Sequence, residues 1–213
     1  YFFNCLFWFF GINGGAIVGA VYSPVLATLS LENIEFFKSG VGTPHIINGQ
    51  FQDLFAVFGG AGSTLSLIIA MLLFCRSKRI TELGKLSLIP GIFGINEPII
   101  FGLPMVLNPV MVVPFILTPL FNIVVSYTSM AMKLVPITNG VTIPWTTPPV
   151  ISGFLATDWR CAVLQIVLIT AGIFIYMPFI KVMDKQYLAD EAKAVDVTTN
   201  DEIDLDNLSF DDL

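Results

Sequence analysis

Apolar positions run along this chain in long uncharged blocks: Tyr1 to Leu31, Leu54 to Cys75, Pro98 to Met132, Leu134 to Thr157 and Cys161 to Ile180. A helix needs about 20 predominantly apolar residues to cross a bilayer core, and every block is long enough. Their interruptions differ. Leu54–Cys75 and Cys161–Ile180 read as ordinary spans, and Gly59, Gly60, Ser63 and Thr64 in the first are small enough to let another helix approach closely. Pro98, Pro104, Pro109, Pro114 and Pro119 punctuate the third block, and Pro136, Pro144, Pro148 and Pro149 the fourth. Each interior proline removes a backbone donor and clashes with the preceding turn. Such backbone is tolerated at membrane depth only within protein or beside a cavity. The pattern predicts an all-α polytopic membrane protein, with transmembrane helices, proline-broken segments and two re-entrant hairpins at 86–106 and 134–157. A crossing bent at its prolines, 107–132, separates the two hairpins.

Composition agrees: 55% of the 213 residues are hydrophobic and 12% charged, against roughly 25% charged in soluble domains. Arg76, Lys78, Arg79 and Lys85 cluster in one short loop, and Lys181 and Lys185 follow the last span, which predicts both on the cytoplasmic side. The net charge of −6 is concentrated at one end, with ten acidic and three basic residues from Lys181 onward. The chain therefore divides into a membrane-embedded part, 1–185, and an acidic cytoplasmic tail, 186–213, too polar to bury a core and expected to be disordered. That tail is either a solubilising C-terminus or a docking strip for a basic partner. Opening on Tyr1 inside an apolar run, the chain reads as a piece of a longer protein.

Cys5, Cys75 and Cys161 lie far apart and His45 is the only histidine, so no metal-ligand spacing exists and no metal or cofactor is expected. The thiols read as small apolar fillers. GGAGSTL at 59–65 lacks the lysine of a phosphate-binding loop.

Candidate chemistry gathers in GINEPIIFGLP, 94–104. Asn96 and Glu97 stand in apolar sequence beside a proline break, and the next charged residue is Lys133. A carboxylate at the centre of a membrane helix costs about 2.5–3.5 kcal/mol on insertion scales. Glu97 either caps a broken helix end or pairs with a buried cation, or it accepts hydrogen bonds from a polar substrate at a broken-helix site. Asn96 offers both donors and acceptors. In IPWTTPP, 143–149, Trp145 is either an interfacial anchor or an aromatic face for a sugar ring. Carboxylate, carboxamide and indole together suit a neutral polyol better than an ion.

The run NEPIIFGLPMVLNPVMVVPFILTP at 96–119 resembles the signature of the membrane-embedded C component of enzyme II. This component belongs to the bacterial phosphoenolpyruvate-dependent sugar phosphotransferase system, here its lactose/cellobiose/diacetylchitobiose family. WFFGINGG at 8–15, FGGAGSTLSL at 58–67 and IPWTTPP fall where that family has similar stretches. The resemblance spans residues 1–185, corresponding to the family's C-terminal, sugar-binding half. It implies a permease in the bacterial cytoplasmic membrane, with a cytoplasmic C-terminus and a homodimeric full-length form. The permease binds a disaccharide, and a phosphocysteine on a separate B component phosphorylates it during translocation. The site implied comprises Glu97, acting on the sugar hydroxyl, with Asn96, Asn13, Trp145 and Trp8 as substrate-binding residues. Asn13 departs from the family, which has a histidine in the Gly-Ile-His-Gly turn. No nucleic acid is implied among the partners. Competing readings are a proton- or sodium-coupled secondary transporter using Glu97, and an inactive truncated remnant.

Overall fold

The computed structural model describes residues 1–205, with side chains through Lys193. Its elements are α1 (Phe2–Phe9), α2 (Gly14–Lys38), a single turn α3 (Gly49–Phe51) continuing into a π-helical turn (Gln52–Ala56), and a 3₁₀ turn (Ala61–Ser63). They continue with α4 (Thr64–Phe74), α5 (Lys78–Ile92), α6 (Glu97–Gly102), α7 (Pro109–Ala131), α8 (Ile151–Ala156) and α9 (Trp159–Leu205). Every regular element among the described residues is helical. Four stretches are long and apolar enough to cross a membrane: Gly14–Lys38, Gly49–Phe74, Pro109–Ala131 and Trp159–Lys193.

Burial runs inside out. Asn33, Asn48, Ser63, Thr64, Ser66, Thr118, Asn122, Ser126 and Gln165 are fully buried, whereas Leu117, Val124, Val163, Val167 and Phe174 are exposed. Water would reverse that arrangement; lipid favours it, because buried polar groups then find partners within the protein. The core lies where α4 and α9 pack together, with Ile68, Met71, Met111, Tyr176 and Ile180 buried in one cluster.

Both proline-rich segments are broken as expected. The first is α5, a turn at 93–96, then the six-residue α6, with Pro98 in the first helical turn. That position suits proline, whose missing N–H is among those a helix start leaves unpaired. The second is irregular from Lys133 to Val150 before the short α8. Between them α7 matches the expected crossing. It starts at Pro109, with Asn108 Oδ1 accepting from Val110 N at 3.0 Å and Met111 N at 3.3 Å.

Two expectations are corrected. Leu54–Cys75 is not one uninterrupted helix. Gly59, Gly60, Gly62 and Ser63 all take positive φ, a region that suits glycine, so the small residues break the span while also letting Asn96 and Phe115 approach closely at Gly60 and Gly62. The short loop expected to hold Arg76, Lys78, Arg79 and Lys85 is instead mostly helix, because α5 begins at Lys78; α9 runs through the boundary at 186 to Leu205, and residues 206–213 lie outside the described residues. Acidic side chains near that boundary cap a neighbouring helix. The buried Asp184 carboxylate accepts from Arg76 N and Ser77 N at 2.9–3.1 Å. Glu191 accepts from Ser77 Oγ at 2.6 Å and Arg79 N at 3.1 Å. These contacts satisfy donors that the start of α5 leaves unpaired, where negative charge is also favoured. Asp184→Ala is expected to lower stability by about 1–3 kcal/mol, because it orphans buried donors. Thermal unfolding in detergent measures this, and an unchanged midpoint would rule out the cap.

Candidate functional site

The glycine-rich turn that interrupts the second crossing organises the centre of the molecule. Thr64 Oγ1 donates to Gly59 O at 2.5 Å, and Ser63 Oγ accepts from Phe58 N at 3.2 Å. Three distant elements then reach in. From α7, Asn122 Nδ2 donates to Ser63 Oγ at 2.9 Å; from α9, Tyr176 Oη donates to Gly62 O at 2.5 Å. From the start of α6, Asn96 Nδ2 donates to Ala61 O at 3.0 Å. A Cβ on Gly60 would stand 2.7 Å from Asn96 Cγ, so glycine is what allows the turn to approach this closely. Asn96 is 5% exposed. One N–H of its amide holds α6 against the turn, and its second N–H and Oδ1 have no protein partner among the described residues.

Glu97 follows as the first residue of α6 and is exposed. Among the described residues the ion pairs are His45–Glu32 and Arg160–Asp158, so no buried cation holds Glu97. The carboxylate is left open to the space beside it. Gly94, at φ +85°, carries the indole of Trp145 over its α-carbon: a Cβ there would meet Trp145 Cε3 at 3.0 Å and Cζ3 at 3.1 Å. Trp145 itself is 61% exposed, held by a turn in which Thr147 N donates to Pro144 O at 2.9 Å.

Asn13 and Trp8 complete the surround. Asn13 Oδ1 caps α2 by accepting from Ala16 N at 3.1 Å, as asparagine at an N-cap commonly does. Its Nδ2 remains a potential donor. Trp8 is 9% exposed and packed into the core cluster, so only an edge reaches the site.

All five sequence-predicted residues line one open cavity of about 810 Å³, within the range of about 300–1,000 Å³ typical of ligand pockets. Among the described residues Glu97 is the only charged one on its wall. Sequence reasoning missed Asn4, a lone polar residue in the apolar helix α1. It lines the same cavity, is 6% exposed, and its Oδ1 has no hydrogen-bond partner. Its signal was an isolated asparagine in FFNCLFWF. The assembled chemistry is one carboxylate acceptor, carboxamides and a broad aromatic face. That set can bind hydroxyls and stack on an apolar ring face. Among the described residues no group of His, Cys, Asp and Glu could hold a metal.

Known proteins share this sequence and this architecture. The chain is 42% identical over 192 residues to the oligo-beta-mannoside-specific EIIC component of the Bacillus subtilis (strain 168) PTS system, covering 89% of this chain and 43% of that protein. It is 46% identical over 190 residues to the cellobiose-specific EIIC component of Geobacillus stearothermophilus, covering 87% and 42%. The crystal structure of the transporter ChbC, the IIC component from the N,N'-diacetylchitobiose-specific phosphotransferase system, superposes with a TM-score of 0.87 at 41% identity, covering 90% of this chain and 45% of that one. The chain thus spans about two fifths of the length of the curated relatives it matches. The model of the family "Phosphotransferase system, EIIC" matches residues 1–119, a stretch that carries α1, the glycine-rich turn and Glu97. With the shared fold, that match shows that the chain belongs to the phosphotransferase system EIIC family.

Proposed function

We propose that this chain is the sugar-binding half of a permease that takes up a disaccharide of the cellobiose, diacetylchitobiose or lactose type and delivers it for phosphorylation. One observation carries the reading: five residues from four segments converge on one cavity, with a single carboxylate that no cation among the described residues neutralises beside an exposed indole. An ion site would need more carboxylates or a cage of carbonyls. A sugar hydroxyl needs one good acceptor, a nearby donor and an apolar surface for the ring.

In this mechanism the sugar stacks on Trp145, Asn13 Nδ2 donates to a ring hydroxyl, and Glu97 accepts from the hydroxyl to be phosphorylated. A phosphocysteine on a B component supplies the phosphoryl group. The P–S bond breaks as the sugar oxygen forms the new P–O bond; thiolate leaves and Glu97 takes the hydroxyl proton. Residues 86–106 and 134–157 enter and leave the bilayer on the same side as hairpins. The basic segment Arg76–Lys85 at the start of α5 and the C-terminus face the cytoplasm, where the B component docks, and the full-length protein is a homodimer in the bacterial cell membrane.

Trp145→Ala is expected to weaken saccharide binding by about 1–3 kcal/mol, by analogy with aromatic stacking on nucleobases, and Trp145→Phe to recover part of it. Equilibrium binding measures both, and parent-like affinity in both variants would make Trp145 an interfacial anchor. A cysteine introduced at Ser77 is expected to label from the cytoplasmic side only; labelling from outside would reverse the orientation.

A further inference from the structure

A second cavity, of about 350 Å³, lies between α2, the turn at 49–53 and the segment 140–143. Among the described residues Asp53 is the only charged one lining it. It makes no ion pair among the described residues. On the same wall stands Gln50, 5% exposed, whose Oε1 accepts from Gly140 N at 2.9 Å while its Nε2 has no partner. Ser23, Ser30 and Thr142 add hydroxyls, and Leu26 and Ile143 add apolar surface. A smaller space connects this cavity to the first site in residue terms: it is lined by Asp53 on one side and by Gly94 and Trp145 on the other. Trp145 is common to this space and the first cavity, and Asp53 to this space and the second.

The lining selects the ligand. A carboxylate repels anions and accepts from a hydroxyl, the Ser23 and Thr142 hydroxyls can donate or accept, and Leu26 and Ile143 offer apolar surface. That set suits a neutral sugar unit.

We propose that the Asp53–Gln50 cavity is a second saccharide subsite, holding a neutral sugar unit on the far side of Trp145 from Glu97. It rests on the reading of the first site as a sugar site. The unit is either the far end of a longer oligosaccharide or a second sugar molecule, and both present the same hydroxyls.

Photo-crosslinking of the full-length protein in lipid nanodiscs, with diazirine-bearing cellobiose and cellotetraose and peptide mapping, tests this. Label is expected at 23–30 or 49–53 as well as at 94–98. Asp53→Asn and the space-filling Ala27→Phe are each expected to reduce the first by at least fivefold, leaving 94–98 within twofold. Glu97→Gln is expected to do the reverse. Labelling of 49–53 by cellotetraose alone assigns the subsite to chain length; labelling by both sugars assigns it to a second molecule. Label confined to 94–98, or unchanged by Asp53→Asn and Ala27→Phe, would overturn the second subsite and leave the first standing. Label absent from 94–98 would instead overturn the first.

Discussion

Glu97→Gln is expected to fold and insert like the parent while sugar phosphorylation by the phosphorylated B component falls at least tenfold, about 1.4 kcal/mol at the transition state. The fold should survive because Glu97 is exposed to the cavity and neutralises no buried cation. What folding loses is the interaction of a carboxylate with the first turn of a short helix, about 0.3–1 kcal/mol. Glutamine keeps the shape and one acceptor oxygen but cannot take the hydroxyl proton. Phosphosugar formed in membrane vesicles is the readout, with thermal unfolding in parallel. Normal phosphosugar production by the variant would remove Glu97 from the chemistry. Accumulation of free sugar by the parent would point to a coupled secondary transporter.

Gly62→Ala is expected to cost about 2–5 kcal/mol of stability, combining left-handed backbone strain with overpacking. Gly62 sits at φ +77°, and a Cβ there would stand 2.1 Å from Phe115 Cδ2 and 2.2 Å from Cε2. Its carbonyl is the acceptor for Tyr176, and the adjacent Ala61 carbonyl holds Asn96. Displacing the turn therefore disturbs the mounting of Glu97 as well as the core. Against a total stability of about 5–15 kcal/mol for folded domains, that is a severe loss. Gly40→Ala provides the control. Gly40 has a similar φ of +74°, but its Cβ would meet nothing within 4 Å. Equal unfolding midpoints for the two variants would show that the Phe115 contact is not what makes glycine necessary at 62.

The sequence exposed much of the site and less of its mounting. Isolation in apolar sequence marked Glu97 and Asn96, proline breaks marked the backbone around them and around Trp145, and motif resemblance singled out Asn13 and Trp8. Those signals are local, so they survive without knowledge of the fold. The break at 59–63 was misread because small residues serve two ends: they let helices approach and they permit positive φ. Only the partners, Asn122 and Tyr176 from remote helices, distinguish the two uses. Asp184 and Glu191 were hidden for a related reason. Composition counts them with the acidic tail, whereas their contacts join the end of α9 to the start of α5. Asn96 was marked as a substrate residue, and what the sequence hid is that one N–H of its amide also fastens α6 to Ala61. The all-α, multi-span architecture was legible from block length alone, because the bilayer imposes it.

Calorimetric titration of the full-length protein in detergent with cellobiose, diacetylchitobiose and lactose, compared with Glu97→Gln and Trp145→Ala, tests the central claim most directly. The expected result is saturable binding of at least one of these sugars to the parent, weakened at least fivefold by each substitution without loss of fold. Saturable binding of equal strength in all three proteins, or none in a folded parent, would contradict the assignment of the Glu97–Trp145 cavity as the sugar site.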